Sequence, residues 1–412
     1  MRFKTRCVAP PHPPKELAHV EALDLSTTYR TPVPEEAVDS IDAWAGGAAE
    51  APNPVYARLF NPTVRGFEER MTALEDGADS VAFATGMAAI SALLLAARSA
   101  GSHVVAVPPV YGGTHHLLTS GLLGLEVTWA DPEEVASALR PDTALVFVET
   151  PANPTLALRD IRAIARAAGS VPLAVDSTFA TPLLQRPLRH GAAYSIHSAT
   201  KFIGGHGDAL GGVVTTAAEE GAASLRRIRV ATGGLLHPLA AHLLSRGLKT
   251  LAVRMVAAEA NAQELVKRLE EHPDVLQVFY PGLQAEAHLL GTQMTGPGAV
   301  FSVRLEGGPS RADAVLRGLR HITPAVSLGS VDTLIQRPAA LTHRILGEEV
   351  RASSGIPEDL LRISVGLEDV EDLWEDLLRA LRSTRLSQPR QGGRSDPLLR
   401  HGKRHPVGSG QR

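Results

Sequence analysis

The sequence predicts an α/β protein: a mostly parallel sheet covered by helices on both faces, followed by a smaller α+β domain. Three observations carry this reading. From about residue 65 to 245, short β-rich apolar runs alternate with helical stretches, a pattern that builds right-handed βαβ units. Past residue 275 the alternation stops, and two separated strands and an amphipathic helix replace it. At 412 residues with 44% hydrophobic content the chain is too long for one small core, so two domains with flanking termini are expected.

Residues 1–55 are rich in Pro, Ala and Gly and show no sustained period. They read as an arm, extended apart from one short helix at 34–44. The large domain is assigned to 56–245. Its candidate strands are 80–84, 103–107, 126–129, 144–149, 172–176 and 194–197, with helix-like segments at 88–98, 133–139 and 161–168. An Ala- and Leu-rich helical stretch at 237–271 links it to a small domain at 246–384. There Ala299-Val-Phe-Ser-Val-Arg304 and Leu361-Arg-Ile-Ser-Val365 read as strands. Val370, Leu373, Trp374, Leu377, Leu378 and Leu381 recur at helical spacing behind the N-cap candidate Asp369. Residues 385–412 lose all apolar period; Gly, Pro, Ser and basic residues surround a lone acid, Asp396, and the segment reads as a disordered tail.

Composition narrows the function classes. A net charge of −3 leaves no basic excess to neutralise nucleic-acid phosphates. No apolar run approaches the length of a membrane span, and Pro10-Pro-His-Pro-Pro14 interrupts any leader-like segment behind Arg2, Lys4 and Arg6. Cys7 is the only cysteine, which rules out an intrachain disulfide or a CxxC metal site. A cytoplasmic protein acting on a small molecule is the expectation.

The chemistry centres on one amine. The chain has six lysines, and between Lys15 and Lys249 only Lys201 occurs, in the run Ser198-Ala-Thr-Lys-Phe-Ile-Gly-Gly-His-Gly-Asp208. Hydroxyls flank it at Ser198 and Thr200, and upstream Asp176 ends the apolar run Leu173-Ala-Val-Asp. A pyridoxal phosphate (PLP) site needs this set: an amine for the aldehyde, an acid for the ring nitrogen, and hydroxyls with glycine amides for the phosphate. A lone lysine after a buried strand is more often just a surface residue, so the surrounding motifs must decide. Thr85-Gly-Met-Ala-Ala-Ile90 follows a strand and opens a helix, where free N–H groups meet a phosphate, although a TG pair there usually only caps. Tyr111-Gly-Gly-Thr114 and Glu149-Thr-Pro-Ala-Asn-Pro154 also follow strands and, alone, would pass as turns. A tyrosine there could stack on a flat cofactor and carry a proton. His115-His116 are adjacent and point apart on a helix, and His206-Gly-Asp208 lacks further ligands at metal spacing, so no metal is expected. Gly204-Gly-His-Gly207 does not open a first βα unit, which removes a dinucleotide reading.

Taken in order, these motifs resemble the Cys/Met-metabolism PLP enzymes, the transsulfuration group of fold-type I PLP-dependent transferase-like proteins. The matches begin with Tyr56-Ala-Arg58, Asn61-Pro-Thr63, and the Thr85, Tyr111 and Glu149 motifs. They continue with Val175-Asp-Ser-Thr-Phe-Ala-Thr-Pro182, His197-Ser-Ala-Thr-Lys201, Arg246-Gly-Leu-Lys-Thr-Leu251, Ser327-Leu-Gly329 and Arg362-Ile-Ser-Val-Gly-Leu-Glu-Asp369. The resemblance implies that Lys201 holds the cofactor and shuttles protons, and that Asp176 partners the pyridine nitrogen. It implies that Gly86, Met87, Ser198 and Thr200 bind the phosphate, that Tyr111 stacks on the ring, and that Asn153 lies near the phenolic oxygen. It places Arg362 on the substrate α-carboxylate with Ser327 beside it. Tyr56 and Arg58 match a pair that reaches the phosphate from a neighbouring subunit, which implies a homo-oligomer with shared sites: a dimer at least, and a tetramer in expectation.

The implied reaction is γ-elimination from a sulfur amino acid, giving 2-oxobutanoate, ammonia and a thiol. Cystathionine γ-lyase and γ-synthase commonly carry glutamate before the Ser-Leu-Gly run; here it is Val326, as in methionine γ-lyases. Methionine γ-lyases carry a cysteine two residues after the stacking tyrosine, where this chain has Gly113. Methionine- or homocysteine-type elimination ranks first. Cystathionine γ-lyase, cystathionine γ-synthase and O-acylhomoserine sulfhydrylase follow, and a non-catalytic PLP-binding scaffold is the remote alternative.

Overall fold

The computed structural model describes residues 1–9 and 19–384; the tail assigned to 385–412 lies outside the described residues. The central element is a seven-stranded sheet in the order β1-β7-β6-β5-β4-β2-β3. Its strands are β1 Asp79–Phe83, β2 His103–Val107, β3 Glu126–Trp129, β4 Thr143–Glu149, β5 Leu173–Asp176, β6 Tyr194–His197 and β7 Gly212–Thr216. Strands β3, β2, β4, β5 and β6 run parallel, while β7 is antiparallel to both neighbours. The sheet is therefore mostly parallel, as expected. Strand β7 is absent from the sequence reading, because its apolar run is only Val213-Val214 behind two glycines.

Both faces of the sheet are buried at its centre, which is why β2 and β4 are almost continuously apolar. Val104 and Ala106 of β2, with Leu145 and Phe147 of β4, pack on one side with the helix Gly86–Arg98. Val105, Val107, Val146 and Val148 pack on the other with the helix Ile161–Ala168. The period-2 alternation of strand side chains distributes them.

The long helix Pro238–Glu270 spans 33 residues and reaches from this core to a second one. The second core lies on a five-stranded sheet in the order β10-β11-β12-β9-β8. These are β8 Val275–Phe279, β9 Val300–Leu305, β10 Thr323–Pro324, β11 Leu334–Gln336 and β12 Leu361–Ser364. The two strands expected here are β9 and β12, antiparallel neighbours with Leu361 opposite Val303. The helix Val370–Ser383 covers them, and the Asp369 side chain accepts from the Glu371 N–H as its cap. At the other end of the chain, residues expected to be extended form the helix Phe3–Val8. It buries Cys7 among residues of the helices Pro62–Glu75 and Pro238–Glu270. The turn is too short for its period to show in sequence. No helix among the described residues is long and apolar enough to cross a membrane.

Candidate active site

Carboxyl ends of parallel strands leave a crevice for ligands, and here a cavity of about 510 Å³ opens there. It is lined by Gly86, Met87, Tyr111, Asn153, Asp176, Ser198, Thr200, Lys201, Val326, Ser327 and Arg362, together with Thr85, Glu149, Thr178, Phe179, Leu210, Leu341 and Thr342 among others. Eleven of the thirteen residues singled out by sequence thus meet in one place. Tyr56 and Arg58 do not. Tyr56 is 45% exposed, and Arg58 donates to the Val230 carbonyl at 3.1 Å with its guanidinium over the Tyr56 ring.

One end of the cavity is a cradle for an anion. The Thr85 hydroxyl caps the helix Gly86–Arg98 by accepting from the Ala88 N–H at 3.0 Å. The N–H groups of Gly86 and Met87 belong to the first turn, which no intrahelical carbonyl reaches. A Cβ at residue 86 would lie 2.8 Å from the Ser198 Cβ, so only glycine lets the helix end approach that hydroxyl. The Thr200 hydroxyl donates to the Gly211 carbonyl at 3.2 Å and accepts from the Gly211 N–H at 3.0 Å.

Next to the cradle Lys201 leaves β6 and donates from Nζ to the Ser327 Oγ at 2.7 Å. Burial, helped by the Arg362 charge, lowers its pKa to about 8, within reach of the neutral amine that a nucleophile requires. Ser327 holds a φ of 81°, a left-handed conformation rare for a side-chain-bearing residue and a form of strain found at functional sites. That geometry turns its hydroxyl toward Lys201 and its carbonyl toward Arg362, which donates to it from Nη2 at 2.6 Å. Arg362, 3% exposed, also donates from Nη1 to the Asn153 Oδ1 at 2.9 Å and lies over the Phe179 ring. Its Nε has no partner, and burial pushes its pKa down to about 10. It remains a full cation with an unused donor.

Two carboxylates end adjacent strands: Glu149 of β4 pairs in register with Asp176 of β5. Asp176 accepts from the Thr178 N–H at 3.0 Å and from its hydroxyl. Burial raises both pKa values, that of Glu149 to about 8 with further repulsion from Asp176. Glu149 was read only as the start of a motif, not as a site residue. Thr178 and Phe179 likewise lay inside a quoted motif. Leu341 and Thr342 carried no signal, since they arrive from a loop after the short turn Pro338–Ala340. The tempting histidines stay out of the site: His115 stacks on Trp129 and His206 bonds the Gly204 carbonyl. Among the described residues no cluster could hold a metal.

The sequence model for Cys/Met metabolism PLP-dependent enzymes matches residues 5–382. The chain belongs to this family. It is 54% identical over 378 residues to an L-methionine gamma-lyase of Streptomyces avermitilis, covering 91% of this chain and 87% of that protein. To a cystathionine gamma-lyase of Bacillus subtilis it is 45% identical over 336 residues, with 79% of this chain and 88% of that protein covered. Among solved structures, a cystathionine gamma synthase of Xanthomonas oryzae pv. oryzae in complex with cystathionine superposes with a TM-score of 0.85 at 34% identity, over 93% of this chain and 98% of the other. The fold is thus that of fold-type I PLP enzymes. The cavity fits the cofactor this family uses: a glycine cradle that a Cβ would fill, an amine beside it, and a buried acid that needs a cation.

Proposed function

We propose that the protein is a carbon–sulfur lyase that eliminates the γ-sulfur group of methionine as a thiol, or of homocysteine as hydrogen sulfide, and releases 2-oxobutanoate and ammonia. The observation that carries this reading is the apolar rim beside Ser327, the partner of Lys201. Val326, 52% exposed, and Leu341 present apolar side chains where a substrate side chain must lie, and no carboxylate stands at position 326 to meet a distal ammonium. The identity of over half with L-methionine gamma-lyases of Streptomyces and Brevibacterium supports it. Cystathionine cleavage or synthesis is the second reading, favoured by the cystathionine gamma-lyase relative; O-acylhomoserine sulfhydrylation stands behind both.

In this reading bound PLP supplies the electron sink for negative charge at the substrate Cα. The Asp176 carboxylate would keep the ring nitrogen protonated. The amides of Gly86 and Met87 with the hydroxyls of Ser198 and Thr200 would hold the phosphate. The Arg362 guanidinium, with Nε free, would bond the substrate α-carboxylate, and Asn153 would sit near the phenolic oxygen. The Lys201 amine would take the Cα proton, hand it on within the site and, neutral again, take a Cβ proton, and the Tyr111 hydroxyl would protonate the departing sulfur. A panel of methionine, homocysteine, cystathionine, cysteine and acyl-homoserines, scored for keto acid and new thioether, tests the reading. Exclusive thioether formation would replace the lyase with a transferase, and no turnover of any of them would leave the scaffold reading.

The same reading includes a homo-oligomer, a dimer at least and a tetramer in full, working in the cytoplasm with an amino acid as its small-molecule partner. It divides the chain into an arm (1–55), a PLP-binding domain (56–245) and a small domain (246–384). Tyr56 and Arg58 stand outside the cavity of their own chain, which supports their reaching the phosphate of a neighbour. Inactive Arg58→Ala and Lys201→Ala proteins should regain activity when mixed and reassembled, because one site then keeps both groups. Full activity from a demonstrated monomer would end this part of the proposal.

A further inference from the structure

Glu149 is the one buried carboxylate of the cavity that the roles above leave unused. It is 4% exposed and ends β4 with both oxygens engaged. Oε2 accepts from the Tyr111 N–H at 2.7 Å, and Oε1 accepts from the Asn153 N–H at 2.8 Å. Those amides belong to two different loops, one following β2 and one following β4. The first carries the Tyr111 ring. The second carries the Asn153 side chain, whose oxygen holds the Arg362 Nη1. One rigid group therefore ties the wall that faces the leaving group to the guanidinium from β12.

We propose that Glu149 is a positioning residue whose carboxylate fixes the Tyr111 ring and the Asn153–Arg362 pair in a common frame. The residue type follows from the geometry. Two N–H donors converge on the group, and only a carboxylate offers an acceptor oxygen to each; a carboxamide would turn its own NH₂ toward one of them. The surrounding charges set the opposing forces: Asp176 on β5 repels Glu149, while Arg362 on β12 attracts it. Lys201 and the buried His343 stand near Arg362 and feel its charge. A glutamate that only filled space would not need to end a strand beside another carboxylate.

The inference rests on the Lys201 cavity being the working site, and its test separates the two. In the cofactor-loaded protein, Glu149→Gln should stay folded and bind PLP, with the visible circular dichroism of the bound cofactor altered because the Tyr111 wall has shifted. Its kcat/KM for methionine should fall about 10- to 100-fold, the scale of leaving one buried amide without its acceptor. The loss should be split between a higher KM from the loosened Arg362 and a lower kcat from the displaced Tyr111. Glu149→Asp keeps the charge but reaches only one amide, and should recover part of both parameters. In the unaltered protein without cofactor, the amides of Tyr111 and Asn153 should exchange hydrogen more slowly than their loop neighbours. A folded Gln variant with unchanged kcat, KM and dichroism overturns the proposal, and so does fast exchange at both amides. Should the Gln variant not fold, the exchange measurement decides. If no sulfur amino acid is turned over at all, the lyase reading fails while exchange and dichroism still judge Glu149.

Discussion

On the side of the cavity that rises from the seven-stranded sheet, polar groups are held close to home. Asp176 is bonded by Thr178, Thr200 by Gly211, and Glu149 by amides of the two neighbouring loops. The side that comes from the five-stranded sheet and its loops is built otherwise. Ser327 sits in a left-handed conformation, Arg362 Nε lacks a partner, and Val326 and Leu341 stand half exposed. Groups satisfied in advance need not move when a cofactor arrives. Strained or unpaired groups are waiting for a partner, and exposed apolar ones for something to cover them. The contrast teaches a division of labour: one wall is organised for the cofactor and the other for the substrate that comes and goes.

Breaking the first wall should cost most. Lys201→Ala removes the only amine at the cradle, and turnover should fall by at least about a thousandfold, the upper range for losing a general acid–base group together with covalent attachment. Borohydride reduction of the loaded unaltered protein followed by peptide mapping should leave the pyridoxyl group on Lys201. A label on Lys249 or Lys267 would move the site elsewhere.

Arg362→Leu attacks the second wall, and two readouts should respond. The kcat/KM for methionine should drop by about 10²-fold or more, because truncating one partner of a buried charge contact costs about 2–5 kcal/mol. The midpoint at which the Lys201 amine becomes reactive toward PLP should also rise above its value of about 8, since the Arg362 cation helps to hold it down. A drop in kcat/KM without that rise would separate the clamp from the lysine.

Two carboxylates at the strand ends give a subtler difference. Burial raises the pKa of Glu149 from the ordinary range to about 8, and that of Asp176 moves the same way. These two groups hold protons in the folded protein without cofactor that the unfolded chain has lost, so the stability they contribute is full below about pH 4.5 and is lost as pH rises toward 8. His103, His115, His190 and His343, whose pKa values burial lowers, act in the opposite sense below about pH 6.5. Denaturant midpoints measured between about pH 6.5 and 8 should therefore show the decline, and Glu149→Gln should flatten it. A stability that climbs over that upper range would mean that the pair is not held protonated.

The same division explains what the sequence revealed. Lys201 and Asp176 were legible because each lies at or just past the end of an apolar strand, and strand ends of a parallel sheet converge whatever the loops do; Gly86 and Asn153, whose motifs alone read as a cap and a turn, needed the family pattern. Arg362 was legible only through its motif; nothing in its spacing tells that β12 brings it onto Asn153, 209 residues away. Leu341 and Thr342 come from an irregular turn with no period to read. Strand β7 escaped because two valines behind two glycines do not announce a strand, and its partner β1 is distant in sequence. The helix Phe3–Val8 is fixed by tertiary burial of Cys7, not by propensity.

The smallest effect is expected at Val326, and it bears most directly on substrate choice. Cystathionine carries a distal ammonium and carboxylate that methionine lacks. A carboxylate at position 326 could meet that ammonium, whereas valine leaves an apolar wall suited to a thioether methyl. Apolar discrimination of this kind is worth only about 1–3 kcal/mol, so the unaltered protein should cleave both substrates, with kcat/KM for methionine or homocysteine at least comparable to that for cystathionine. Val326→Glu should shift preference toward cystathionine, raising the cystathionine-to-methionine ratio by about 2- to 5-fold, the range of an exposed charge pair. Because Val326 is half exposed, water screens part of any new charge contact, which keeps the expected shift well below that of a buried pair. Gly113 lets Tyr111 keep its place, since a Cβ there would lie 2.7 Å from the Tyr111 ring. If the unaltered protein already prefers cystathionine strongly, the apolar rim is not what selects the substrate, and the selecting contact must lie on the Tyr111 side of the cavity.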